Sequence, residues 1–231
     1  MKLLLVLVAA LVFTVVLGQT AWQVLAQPAP VDLREWVADA IPESGVAHPI
    51  TAVLLNFRSY DTLLEIGVLV VAGMAGLSMR AVAPLEAPAM RTSDTLLQAL
   101  LRWFVPLLLV LSAYLLWAGS DRSGGAFQAG AVLGATGVLL RLGGVPLDFL
   151  RPGLMLRLGL VLGFAVFLLV AVMGAIRGDM FLAYPPEWAG LLIVIIEAGL
   201  TLSIAMVLVG LFAVAPAQAT ERDWPSREGK R

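Results

Sequence analysis

Arg58, Asp61 and Glu65 are spaced i, i+3 and i+7 in the run NFRSYDTLLEIGVLVV, so a helix there carries all three on one face. The stretch that follows, Ile66 to Met79, has no charge. A charge at the edge of a bilayer span is expensive unless it faces protein or water, and such groups mark ion routes by default. A second carboxylate, Glu197, lies in GLLIVIIEAGLTLSIAMVLVGLFAV, which is otherwise wholly apolar apart from its small hydroxyl residues. Counted from Gly190 at about 1.5 Å per residue, it sits roughly 10 Å into its span. Carboxylates held this way can exchange a proton for a monovalent cation. Asp61, Glu65 and Glu197 are therefore the candidates for an ion path, with transient Na+ at Glu65 and Glu197. Thr62 beside the first pair, Thr201 at i+4 from Glu197, Arg58 and the lone His48 are candidate supporting groups.

Each residue also has a structural reading. Asp61 suits a helix cap, satisfying free N–H groups and the helix dipole, and Arg58 suits simple pairing with Asp61. Glu65 lies a turn inside the apolar run and is harder to account for structurally. Glu197 suits a protonated group bonded to a neighbouring helix. His48, before Pro49, is of the residue type that can shuttle protons near neutral pH, yet a lone loop histidine is more often without such a role. The loop SDRSGGAFQAGAV lacks the Lys-Ser/Thr continuation of a phosphate cradle; its glycines suit a bend into the next helix, with Gln128 as a polar contact.

Those residues need a membrane to work in, and the composition supplies one. Of 231 residues, 60% are hydrophobic and 13% charged, against about 25% charged in a soluble domain. Mean hydropathy is +0.94. The fold class expected is all-α: a polytopic membrane protein with about six transmembrane helices, since lipid-exposed backbone must satisfy its own hydrogen bonds. The apolar stretches run approximately from Leu3 to Leu25, Thr62 to Val82, Leu97 to Ala118, Gly125 to Leu142, Leu154 to Ile176 and Gly190 to Val214. The fourth is short and rich in Gly and Ala. The first also reads as a secretory signal ending near Val24-Leu25-Ala26, but its length favours a retained span. With the N-terminus inside, the inner segments hold eleven Lys and Arg and the outer ones four, which places both termini in the cytoplasm.

The absence of cysteine rules out disulfides and thiolate metal sites, and one histidine cannot build a multi-histidine centre. No cofactor or resident metal is expected, and a net charge of −1 offers nothing to nucleic acid. No nucleophile–base pair is present, so an enzyme acting alone is not expected. Residues 1–83 read as a two-helix segment with an outer loop, 84–95 as a Pro- and Ala-rich connector, 96–216 as a four-helix domain, and 217–231 as a polar cytoplasmic tail. Ser93 and Asp94 suit the start of the third span. Within the outer loop, Leu33, Trp36, Val37 and Ile41 share a face of a candidate surface helix. Gly130 and Gly134, and Gly159 and Gly163, form two GxxxG pairs that let helices approach closely.

PITAVLLNFRSYDTLLEIGVLV resembles the segment near the C-terminus of the large MnhA-type protein of Mrp-type Na+/H+ antiporters, and a small E-type component of membrane-bound hydrogenases, where the pattern is ITAV…FRGYDTLGE. PLLLVLSAYLLWAG…SGGAFQAGAVLGATGVLLRL, followed by two spans with EAGL, resembles the MnhB-like domain of the same antiporters. The two resemblances cover about 40–80 and 96–215. Ser59 and Leu64 stand where glycine is usual, Asn56 where an acid is frequent, and Ser123 where proline is common. The resemblance implies a fusion of two neighbouring pieces acting as a subunit of a multi-protein cation/proton antiporter. Its partners would be other Mrp-like or hydrogenase-like membrane subunits in a bacterial inner membrane, and its transported species Na+ and H+. A scaffold subunit in the membrane arm of a hydrogenase-like or other ion-pumping respiratory complex is the alternative.

Overall fold

The computed structural model of the chain describes residues 2–26, 33–80, 95–145, 147, 153–176 and 181–214. The connector over 84–94, Ser93, Asp94, Arg91, Arg151, Arg177 and the tail over 217–231 lie outside the described residues. The chain divides into two units, Met1–Asp39 and Ala40–Arg231. In the first, α1 (Lys2–Ala26) is one apolar helix of 25 residues whose described side chains are all exposed. α2 (Leu33–Ser44) begins in the first unit and ends in the second. The expected surface helix thus forms, with Leu33 and Trp36 exposed and Ile41 packed on the core of the second unit.

The second unit continues through α3 (Pro49–Ala52), a π-helical turn over Val53–Phe57, α4 (Ser59–Arg80), α5 (Thr95–Ala118), α6 (Ala126–Leu142), α7 (Leu154–Ile176) and α8 (Pro186–Val214). Among the described residues there is no strand. Among the described residues, five helices are long and apolar enough to cross a membrane: Val6–Ala26, Ser59–Met79, Leu97–Ala118, Leu154–Ile176 and Pro186–Phe212. The remaining apolar stretch, Ala126–Leu142, is a helix of 17 residues, about 25 Å long. The protein is an all-α, multi-pass membrane protein.

α8 is the hub of the bundle, and small residues on its neighbours make it so. A Cβ added at Gly130 of α6 would lie 2.8 Å from Ile204, and one at Gly134 3.1 Å from Leu208. A Cβ at Gly159 of α7 would meet Met206 at 2.7 Å, and one at Gly163 would meet Leu200 Cα at 2.9 Å. Both GxxxG pairs therefore seat α8 within the chain. Lipid is as apolar as these side chains, so close van der Waals packing and interhelical hydrogen bonds hold such helices together. Ser112 Oγ donates across to the Ala129 carbonyl at 2.8 Å, and Ser203 Oγ donates to the Leu160 carbonyl.

The same contacts fix direction. Gly73 faces Val207 and Gly76 faces Leu211, so α4 runs parallel to α8. Gly130 and Gly134 meet Ile204 and Leu208 in ascending order, so α6 is parallel as well. On α7 the order is reversed, Gly159 against Met206 and Gly163 against Leu200. α5 is antiparallel to α6, because Ser112 bonds Ala129 while Leu101 lies against Gly143. Glu65 on α4 and Glu197 on α8 consequently descend from the same end of the bundle.

Two helix starts differ from the sequence reading. α8 begins at Pro186 rather than Gly190, because proline is pre-organised for the first helical position and Glu187 favours the positive end of the helix. Glu197 is thus about 16 Å along its helix, deeper than the roughly 10 Å expected. α4 begins at Ser59, and the segment before it is itself helical.

Candidate functional site

The approach to the N-terminal end of α4 is a broken helix. Pro49 starts a short α-helical turn, which widens into π-helix over Val53–Phe57, where the Arg58 amide donates to the Val53 carbonyl at 2.8 Å. Arg58, at φ −128° and ψ 33°, interrupts the helix before Ser59 restarts it. Irregular backbone at membrane depth persists only where its polar groups find partners or line a cavity. Here Thr62 Oγ1 donates to the Leu54 carbonyl at 2.7 Å and Ser59 Oγ to the Asn56 carbonyl at 3.2 Å. Asn56 Nδ2 donates to the Ser44 carbonyl at 2.9 Å. Thr62 is therefore a backbone clamp, 1% exposed, and it also lines the cavity described below.

A second irregular segment, the Gly119–Gly125 turn between α5 and α6, is bound to the first. The Ala47 and His48 amides both donate to the Ser120 carbonyl, at 3.0 and 2.9 Å. Thr51 Oγ1 donates to the Gly119 carbonyl. His48 is half-buried, with its ring Nδ1 3.5 Å from Thr51 Oγ1. It borders the site but is not among the residues lining the cavity.

Glu197 reaches into this turn from α8. Its residue exposure is 2%. A Cβ at Gly125 would lie 2.6 Å from Glu197 Oε1, and one at Gly119 3.2 Å from it, so only glycine backbone admits the carboxyl. Gly125 adopts φ +102°, a conformation L side chains rarely take. It precedes the first residue of α6 and has no side chain to cap that helix. The cap comes from across the bundle: the Ala126 amide hydrogen-bonds the Glu197 carboxylate. A carboxylate there satisfies a free helix N–H and complements the helix dipole. The other oxygen, Oε2, is buried with no hydrogen-bond partner. Thr201, at i+4, does not supply it. Its Oγ1 donates instead to the Glu197 backbone carbonyl at 2.8 Å, the i−4 bond favoured by helical Ser and Thr.

Beside this carboxylate is a cavity of about 350 Å³, whose walls include Thr51, Thr62, Glu65, Gln128 and Glu197 together with Gly124 and Gly125. It brings Glu65 and Glu197 to one space. The third candidate goes elsewhere: Asp61 is absent from the lining and pairs with Arg58 at the entry of α4, where their side chains are 48% and 71% exposed. Glu65 itself is exposed. Among the described residues no cluster of three or more His, Cys, Asp or Glu could hold a metal ion. The arrangement provides one anchored carboxylate with a vacant oxygen, a second carboxylate, and hydroxyl and amide groups around a small space. Such a set can accept and release a proton or a monovalent cation.

Sequence reasoning found the two acids and Gln128, but not Gly119, Gly124, Gly125, Ala126 or Thr51 as their surroundings. The paired glycines before an apolar helix were the available signal, because glycine marks close approach to a backbone.

Residues 96–217 match the family described as a domain related to the MnhB subunit of the Na+/H+ antiporter. A comparison with curated proteins finds no match. Among solved structures, the chain is similar to one in the Mrp complex from Dietzia sp. DQ12-45-1b, with TM-score 0.72 and 20% identity over 95% of this chain and 26% of that one. It is also similar to one in the membrane-bound sulfane sulfur reductase, an archaeal respiratory membrane complex, with TM-score 0.69 and 19% identity over 90% of this chain and 96% of that one. The chain thus spans about a quarter of the Mrp-complex chain and nearly all of the reductase chain. At these identities the likeness is one of fold. The family match covers more than half the sequence, and the chain belongs to the family of domains related to the MnhB subunit of Na+/H+ antiporters.

Proposed function

We propose that the chain is a non-enzymatic subunit of a multi-protein monovalent cation/proton antiporter, and that Glu65 and Glu197 line its ion route. The observation that carries this reading is Glu197 Oε2: a carboxylate oxygen, buried and unpartnered, beside a cavity of about 350 Å³ that Glu65 shares. A purely structural glutamate would place both oxygens on donors, since an unsatisfied buried charged group costs more than 1–3 kcal/mol. Family membership supports the antiporter context. Na+ and H+ are the proposed cargo, and the cavity is proposed to hold Na+ only in passing. With its first span retained and both termini in the cytoplasm, the chain would open this cavity toward the outer face of the membrane. The segments 1–83 and 96–216, joined by 84–95, are proposed as two ancestral pieces.

The test is cation/proton exchange by the assembled complex carrying Glu197→Gln or Glu65→Gln. Exchange is expected to fall while the complex assembles at its usual level. Unchanged exchange in an assembled complex refutes the role. A second reading, a scaffold subunit in a respiratory membrane arm, is favoured by one observation: the fold match extends over 96% of a chain from such a complex. Under it the same substitutions disturb assembly or nothing, and the neighbouring genes encode redox subunits.

A further inference from the structure

α4 has two unlike sides. Thr62, Leu63, Ile66 and Val70 are buried in the bundle, whereas Tyr60, Leu64, Val68, Val71 and Met74 form an exposed stripe at helical spacing. Glu65 lies along the edge of that stripe, six residues inside the helix and so about 9 Å from its start. Among the described residues it has no ion pair or hydrogen bond. Arg58, the nearest cation in sequence, is engaged by Asp61. The cavity beside it is also unfinished. Its rim residues Ile50, Leu54, Glu65 and Gln128 are exposed or half-buried, so this chain leaves one wall of a space lined by carboxylates, hydroxyls and an amide incomplete.

Lipid is a poor cover for such an edge. Acyl chains would face an unpaired carboxylate and the mouth of a polar cavity, and charged groups within a membrane almost always turn toward protein, water or one another. A helix from the same chain is no better matched by charge: α1 carries no cation after Lys2.

We propose that the Tyr60–Met74 stripe of α4 is a docking surface for a transmembrane helix of another membrane subunit, and that this helix presents a lysine or arginine to Glu65 while closing the cavity. The apolar stripe supplies the packing and the carboxylate supplies the register, since a cation at any other depth would remain unpaired. This rests on the reading that the chain works within a complex, and it adds which edge of the fold meets the partner and with what charge.

A photoreactive benzoylphenylalanine placed at Leu64 or at Val68 tests the surface in the assembled complex, in its native membrane. The expected product is one discrete covalent heterodimer, whose cross-linked peptide is an apolar helix with a lysine or arginine within one turn of the attachment point. Carbodiimide treatment of the unmodified complex is the companion measurement, joining Glu65 to a lysine when that is the counter-charge. Glu65→Lys should reduce the co-purified partner on the order of thirtyfold, since like charges at that depth repel, whereas Glu65→Gln, whose amide oxygen still accepts from the cation, should keep it at its usual level. Adducts to lipid alone, an adduct to α1, a partner helix without a cation at that depth, or no adduct in either experiment overturns the proposal. The antiporter reading fails separately: exchange insensitive to both glutamates would sink it even where the heterodimer forms, and a missing heterodimer would leave glutamate-dependent exchange standing.

Discussion

Gly125→Ala isolates the contact on which the carboxylate site depends. A methyl group there would lie 2.6 Å from Glu197 Oε1, about 0.8 Å inside ordinary contact, on a backbone at φ +102° that disfavours any side chain. Two costs arise, and they separate. The backbone strain is on the order of 1–3 kcal/mol and does not depend on what stands opposite. Displacing the carboxylate from the Ala126 amide forfeits a charge-assisted hydrogen bond, about 1.5–3 kcal/mol more. Unfolding of the purified chain in mixed micelles, followed by tryptophan fluorescence, should therefore show a loss of roughly 2.5–6 kcal/mol for Gly125→Ala. In a Glu197→Ala background the same substitution should cost only the strain, leaving a coupling of about 1.5–3 kcal/mol. Exchange by the assembled complex should fall in step with the displaced carboxylate. An equal loss in both backgrounds would refute the assignment of Gly125 as the seat of Glu197, and wild-type stability would refute the backbone argument too.

Other perturbations read other parts of the bundle. Thr62→Val removes the hydroxyl that serves the Leu54 carbonyl, and should lower stability by about 1–3 kcal/mol while Thr62→Ser restores it, both read by the same unfolding assay. Gly130→Leu drives a side chain into Ile204, where a mere Cβ already comes within 2.8 Å, so α6 and α8 should separate by several tenths of an ångström or fail to associate, as proteolysis of the α6–α7 connection would reveal. Asp61→Asn breaks a pair whose side chains are 48% and 71% exposed, and should change stability by less than about 1 kcal/mol with exchange unaffected. A large loss of exchange in that variant would return Asp61 to the ion route.

The spans were legible because their signal is long and local. An uninterrupted apolar run of about 20 residues permits little besides a helix, and the runs through Leu97–Ala118 and Leu154–Ile176 coincide with α5 and α7. Glu65 and Glu197 were visible for the same reason, as acids against an apolar background. Their surroundings were not. The turn that receives Glu197 is made of glycine backbone from between α5 and α6, more than seventy residues earlier in the chain, and backbone amides carry no sequence label. The role of Thr201 was not legible either: spacing puts its hydroxyl one turn from Glu197, and a helical threonine bonds the carbonyl four residues back before it reaches a side chain. The π-helical turn before α4 was hidden too, for nothing in VLLNF announces a wider helix.

The brevity of α6 has an electrical consequence. Its 17 residues stand among spans of 21 to 27, and the mouth of this shorter helix is where the Glu197 carboxyl resides. A bilayer meets a short hydrophobic element by thinning around it, drawing headgroups and water inward. The drop in membrane potential is then compressed into the remaining thickness, so under the proposed ion route a charge moving from Glu197 toward the opposite face would cross most of the voltage over a shortened path. Under the proposed ion route, lengthening α6 by one turn would move the carboxyl farther from water, and ion uptake is expected to become more steeply dependent on voltage.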